Sequence, residues 1–98
     1  MVGRKAIGRK GESLMWTGTK IMLRAPQASG VYAIFSTREW LYVGETGDIR
    51  ASLLAHFDDH SSPILQNNPI GFQFEVTPTK QRAARKKQLI AELKPICN

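Results

Sequence analysis

Apolar and polar positions change rhythm several times along the chain, and each change predicts an element. Residues 31–35 (VYAIF) and 40–43 (WLYV) are runs of β-formers joined by the polar stretch Ser36-Thr37-Arg38-Glu39. Two short runs with a four-residue polar connection predict a hairpin, with Gly44 ending its second strand. Ile49, Leu53, His56 and Phe57 then recur at helical spacing, an amphipathic stripe on a helix that Asp48 or Thr46 can cap. Ser62-Pro63 fits an N-cap followed by proline at the first helical position, so a helical turn is expected through Ile64 and Leu65. Asn67-Asn68-Pro69 breaks the chain. Phe72, Phe74 and Val76 alternate with Gln73, Glu75 and Thr77, which predicts a third, half-buried strand. A last helix begins near Thr77-Pro78-Thr79, turns Ala83, Leu89, Ile90 and Leu93 inward, and stops at Pro95. The pattern reads as an α+β fold, a small three-stranded antiparallel sheet flanked by helices.

The chain's beginning is less patterned. Residues 1–14 are rich in Gly, Lys and Arg with no period, and are expected to form a flexible basic arm. Residues 15–98 make a single domain, in which residues 15–23 form a short strand or a cover over the body. The loop 25–30 contains Pro26 and ends at Gly30, which permits a close backbone approach.

Composition narrows the class. With 98 residues, 42% hydrophobic and 22% charged, the chain suits one globular domain with a modest core. One cysteine, Cys97, has no partner thiol and no metal-spaced neighbour, which points to a reducing, cytoplasmic setting. No apolar run is long enough for a membrane span, and the basic start lacks the apolar core of a secretory signal. The net charge of +6 is unevenly placed. Residues 1–24 and 80–98 hold twelve of the fourteen Lys/Arg against Glu12 and Glu92, a net +10, while 25–79 net −4. Basic ends around a mildly acidic middle suit a polyanion partner. Oligomeric state is not legible.

Two tripeptides punctuate the hairpin: Gly30-Val31-Tyr32 and Tyr42-Val43-Gly44. With the 44–49 segment GETGDI running into the first helix, with His56, and with the tail Lys94-Pro95-Ile96-Cys97-Asn98, they resemble the GIY-YIG nuclease superfamily over residues 26–98. The tail is similar to the end of excision-repair nuclease domains in that superfamily. The resemblance implies phosphodiester cleavage with one divalent metal, Mg²⁺. Tyr32 would help activate the attacking water, Tyr42 would orient water or phosphate, and His56 holds the family's histidine position. It also implies an arginine on the first helix to stabilise the phosphate, and a glutamate on the last helix to hold Mg²⁺.

Those two charged positions are Ser52 and Lys86 here. Arg50 lies about 200° of helix rotation from Ser52, and Glu92 about 240° from Lys86, so neither replaces the missing group. The expectation is a nuclease-fold domain that binds nucleic acid, DNA foremost, and cleaves weakly or not at all. Gly44, Arg50, Arg82, Arg85, Lys86 and Lys87 are its candidate nucleic-acid contacts, and no metal site is expected beyond Glu45 as a weak candidate. Two alternatives stand beside it: an active Mg²⁺-dependent endonuclease with relocated ligands, and a protein-interaction module. Each residue also has a plainer reading. The tyrosines can be core residues of a hairpin, the cations a solvated helix face, and Trp16 and Trp40 packing residues.

Overall fold

The computed structural model describes residues 12–98. Four strands, β1 (Leu14–Met15), β2 (Gly30–Phe35), β3 (Trp40–Thr46) and β4 (Gly71–Val76), form one antiparallel sheet in the order β1-β4-β2-β3. Helices α1 (Gly18–Arg24), α2 (Ile49–Asp58), α3 (Pro63–Gln66) and α4 (Arg82–Leu93) flank it. The three expected strands are its centre, and the two-residue β1 adds a fourth at the edge.

Every residue of β2 is buried, as its central place requires. The hairpin turn is built by Ser36, whose Oγ accepts from the backbone N–H of Arg38 at 3.2 Å and Glu39 at 3.1 Å. Ile34 pairs with Tyr42 and Phe35 with Trp40, so Leu41 is the extra residue of a bulge. β3 does not stop at Gly44 but runs on to Thr46. Gly44 lies opposite Tyr32, and a Cβ there would overlap the Tyr32 ring. The glycine serves cross-strand packing, not termination. Gly30 is a close approach as expected, since a Cβ would overlap the Glu75 carbonyl on β4.

The caps of α2 and α3 agree with the sequence. Asp48 accepts from the Ala51 N–H at 3.0 Å, and Ser62 accepts from the Ile64 N–H at 3.1 Å ahead of Pro63. Residues 15–23 mostly form α1, capped by Thr17 onto Lys20 N at 3.0 Å. Leu14 pairs with Phe72, and the Ser13 hydroxyl accepts from Gln73 Nε2. Residues 1–11, most of the expected arm, lie outside the described residues.

The sheet separates two apolar clusters. On one face Tyr32, Ile34 and Phe72 pack with Ile21, Ile49, Leu53 and Ile64 from α1–α3. On the other, Val31, Ala33 and Val43 pack under Leu89 and Leu93 of α4. Two expectations fail at the margins. Val76, assigned inward, is exposed at the end of β4, while Gln73 is buried and its Nε2 donates to the Ser13 hydroxyl. Ala83 is exposed, since a 3₁₀ turn at Thr79–Gln81 shifts the start of α4 and leaves Leu89 and Leu93 as its buried residues.

Candidate functional site: an aromatic cluster on the sheet

Register brings the two tyrosines together. Tyr32 faces Gly44 and Tyr42 faces Ile34, so the two rings lie diagonally on one sheet face. Their centroids are 6.1 Å apart. His56, two turns into α2, stands over both, 5.6 Å from Tyr32 and 4.9 Å from Tyr42. The Tyr32 hydroxyl is 2.7 Å from His56 Nε2.

Burial sets the protonation of this pair. It pushes the Tyr32 phenol well above its ordinary value, and Tyr42 adds to the shift. It holds the His56 imidazole below its ordinary value, with Asp59 offsetting part of the effect. At neutral pH, therefore, Tyr32 donates and neutral His56 accepts at Nε2. The arrangement can pass a proton: a water bonded to the phenolic oxygen can lose a proton as His56 takes the phenol's. It supplies no positive charge for a phosphate.

The expected positions of charge are occupied otherwise. Ser52 donates to Thr46 Oγ1 at 2.6 Å, and Thr46 also accepts the Asp48 N–H at 3.0 Å. Ser52 thus belongs to the N-terminal turn of α2. Arg50 points away from Ser52, as rotation predicted, and its Nε donates to the Ala25 carbonyl at 2.9 Å. With Arg50 N–H on Pro26 O and Ile49 N–H on Ala28 O, it ties the 25–29 loop to α2. Glu45 pairs with Arg82 at 3.4 Å, and Arg82 also reaches Ser29 Oγ at 3.3 Å. Arg85 holds both carboxylate oxygens of Glu75, at 2.8 and 3.4 Å. Glu45 and Glu75 flank Val31 across the sheet on the α4 face, so these pairs pin α4 over it.

A divalent metal does not fit this donor set. The two carboxylates on the α4 face are neutralised by arginines, and Lys86 holds the position where the resemblance requires a glutamate. No cluster of three His, Cys, Asp or Glu suited to a metal occurs among the described residues. Lys86 is half-buried and Lys87 exposed. Trp16 packs on Phe57 and Phe72, and Trp40 on Phe35, both partly buried against the core. The Cys97 thiol is pushed up by burial, with Glu39 adding to it, a setting that disfavours the reactive thiolate.

Sequence reasoning missed Asn98. Its side-chain amide accepts from the Val43 N–H and donates to the Val43 carbonyl, both at 2.8 Å. With Ile96 N–H on Trp40 O and Cys97 N–H on Leu41 O, the tail lines the outer edge of β3 beside Tyr42. The pairing joins residues 55 apart, and no local pattern marks it.

Against solved structures, this arrangement matches the GIY-YIG N-terminal endonuclease domain of UvrC from Thermotoga maritima bound to magnesium, its catalytic divalent cation. The TM-score is 0.71 at 19% identity, over 82% of this chain and 92% of that one. The chain has the GIY-YIG endonuclease fold. Two tyrosine-to-phenylalanine forms of the same domain, each bound to its catalytic divalent cation, give TM-scores of 0.71 and 0.70 at 19% and 18% identity. Both cover 82% of this chain and 91% of the matched one. No family model and no curated protein matches the sequence. At this identity the likeness is one of GIY-YIG fold. No helix among the described residues is long and apolar enough to cross a membrane.

Proposed function

We propose that this chain is a nucleic-acid-binding domain on a GIY-YIG endonuclease fold, one that holds phosphate backbone, DNA foremost, and cleaves it weakly or not at all. One observation carries the reading. The aromatic half of a nuclease groove is assembled, with Tyr32 bonded to His56 at 2.7 Å, while the charged half is absent. Ser52 is bonded to Thr46 and Glu45 is paired with Arg82, and by the resemblance Lys86 takes the place of the glutamate. Phosphoryl transfer needs cations facing the developing charge, and loss of one such donor costs about 3–4 kcal/mol of transition-state stabilisation. The basic surplus of the chain ends supports a polyanion as partner.

A second reading, an active Mg²⁺-dependent endonuclease, is favoured by the intact Tyr32–His56 bond and by the magnesium held by the matched UvrC domain. Two assays separate the readings. Binding of DNA or RNA is expected to weaken steeply as salt rises, with little preference for sequence. Supercoiled plasmid with Mg²⁺ or Mn²⁺ is expected to stay intact. Binding that is flat with salt would sink the first reading. Nicking abolished by Tyr32→Phe would establish the second.

A further inference from the structure

The inward side of α4 carries more positive charge than the sheet beneath it neutralises. With buried Leu89 as the centre of that side, Arg85 lies about 40° to one flank and Lys86 about 60° to the other. Arg85 reaches Glu75 on β4, so Lys86 is turned the opposite way, toward the outer edge of β3. Arg82, between them, is held by Glu45. Lys86 is half-buried and its side chain has no hydrogen bond or ion pair among the described residues. Lys87, about 100° further round, is exposed.

The adjacent strand edge offers a matching donor. The N–H and C=O of Val43 both point outward, where the Asn98 amide holds them. Peptide orientation repeats every second residue along an antiparallel strand, so the Glu45 N–H points out of the same edge. Lys86 lies on the helix flank turned toward that edge and its side chain has no partner among the described residues, so one anion can serve both it and the outward N–H. A phosphate oxygen can accept from both.

We infer that Lys86 and the outward N–H of Glu45 form a metal-independent phosphate site at the β3 edge, taking one backbone phosphate of a nucleic-acid strand. The inference rests on the nucleic-acid-binding reading above and assigns its point of contact.

Fluorescence anisotropy with a short labelled DNA duplex tests it, in EDTA and in Mg²⁺ at matched ionic strength. The wild type is expected to bind in EDTA without needing Mg²⁺. Lys86→Gln should weaken binding about three- to tenfold and lower the slope of log affinity against log salt by about 0.9. Lys20→Gln, on α1 with the same change in charge, should weaken it less than about twofold. Lys86→Glu should make binding depend on Mg²⁺. A Lys86→Gln variant that follows Lys20→Gln, or a wild type that needs Mg²⁺, overturns this site and leaves the binding reading standing. A wild type that binds neither DNA nor RNA overturns both.

Discussion

The two faces of the sheet use the same strands for opposite ends. Under α4, alternate residues of β2 and β3 are small and aliphatic, Val31, Ala33 and Val43, closed by Leu89 and Leu93. The charges on that face, Glu45 with Arg82 and Glu75 with Arg85, pair across element boundaries and fix the helix. Under α2 the same strands present Tyr32 and Tyr42, and the helix answers with His56 at hydrogen-bond distance. Polar groups there face one another in a groove that burial has tuned. Two arginines of α4 are thus paired with sheet carboxylates, while the face under α2 brings together Tyr32, Tyr42 and His56. Cationic residues in a sequence do not equal cations available to a ligand: Arg50, Arg82 and Arg85 all have partners within the fold.

If one face is scaffold and the other is groove, substitutions should separate them. The largest effect is expected for Leu89→Ala, which opens a cavity in the α4 face. Urea unfolding should show a loss of about 2–5 kcal/mol. Gly44→Ala should cost about 1–3 kcal/mol, because the new methyl must displace the Tyr32 ring. Unlike Leu89→Ala, it should also shift the Tyr32 and His56 NMR signals, since it acts on the groove.

Tyr32→Phe removes one hydrogen bond, for about 1 kcal/mol. The same pair gives a pH signature. The folded His56 pKa lies below the unfolded value of 6.5, so its stabilisation is present above that pH. It is lost as pH falls through the folded pKa. Thermal melts should therefore weaken below about pH 6.5, and His56→Gln should flatten that limb. The Tyr32 shift is upward, so its contribution is present below its ordinary value of 10.0 and is lost only in stronger alkali. The smallest effect is expected for Arg82→Gln. Its pair with Glu45 is partly solvent-exposed and 3.4 Å long, so a loss below about 1 kcal/mol is anticipated. A larger loss would mean that α4 depends on its charges more than on Leu89 and Leu93.

Where a signal was local, the sequence carried it. The hairpin, the Asp48 and Ser62 caps and the strand at Gly71–Val76 follow from β-runs, capping chemistry and a period of two. The hairpin put Tyr32 and Tyr42 on adjacent strands and the resemblance singled out His56, while the diagonal contact of the three rings is seen in the structure. Most of the failures are non-local. β1 is two residues long and exists because Leu14 meets Phe72, a contact that leaves no periodic trace. Gly44 looked like a strand end because glycine usually weakens strands, whereas here the Tyr32 ring needs the missing Cβ. The commitment of Arg50 to Ala25, and of Asn98 to Val43, spans 25 and 55 residues. No spacing rule reaches that far.

The central claim is that this groove keeps the nuclease fold and lacks the charge for cutting. Supercoiled plasmid nicking in Mg²⁺, compared between the wild type and the double variant Ser52→Arg/Lys86→Glu, tests it most directly. The account predicts intact plasmid with the wild type and Mg²⁺-dependent nicking with the double variant. Nicking by the wild type, lost on Tyr32→Phe, would contradict it.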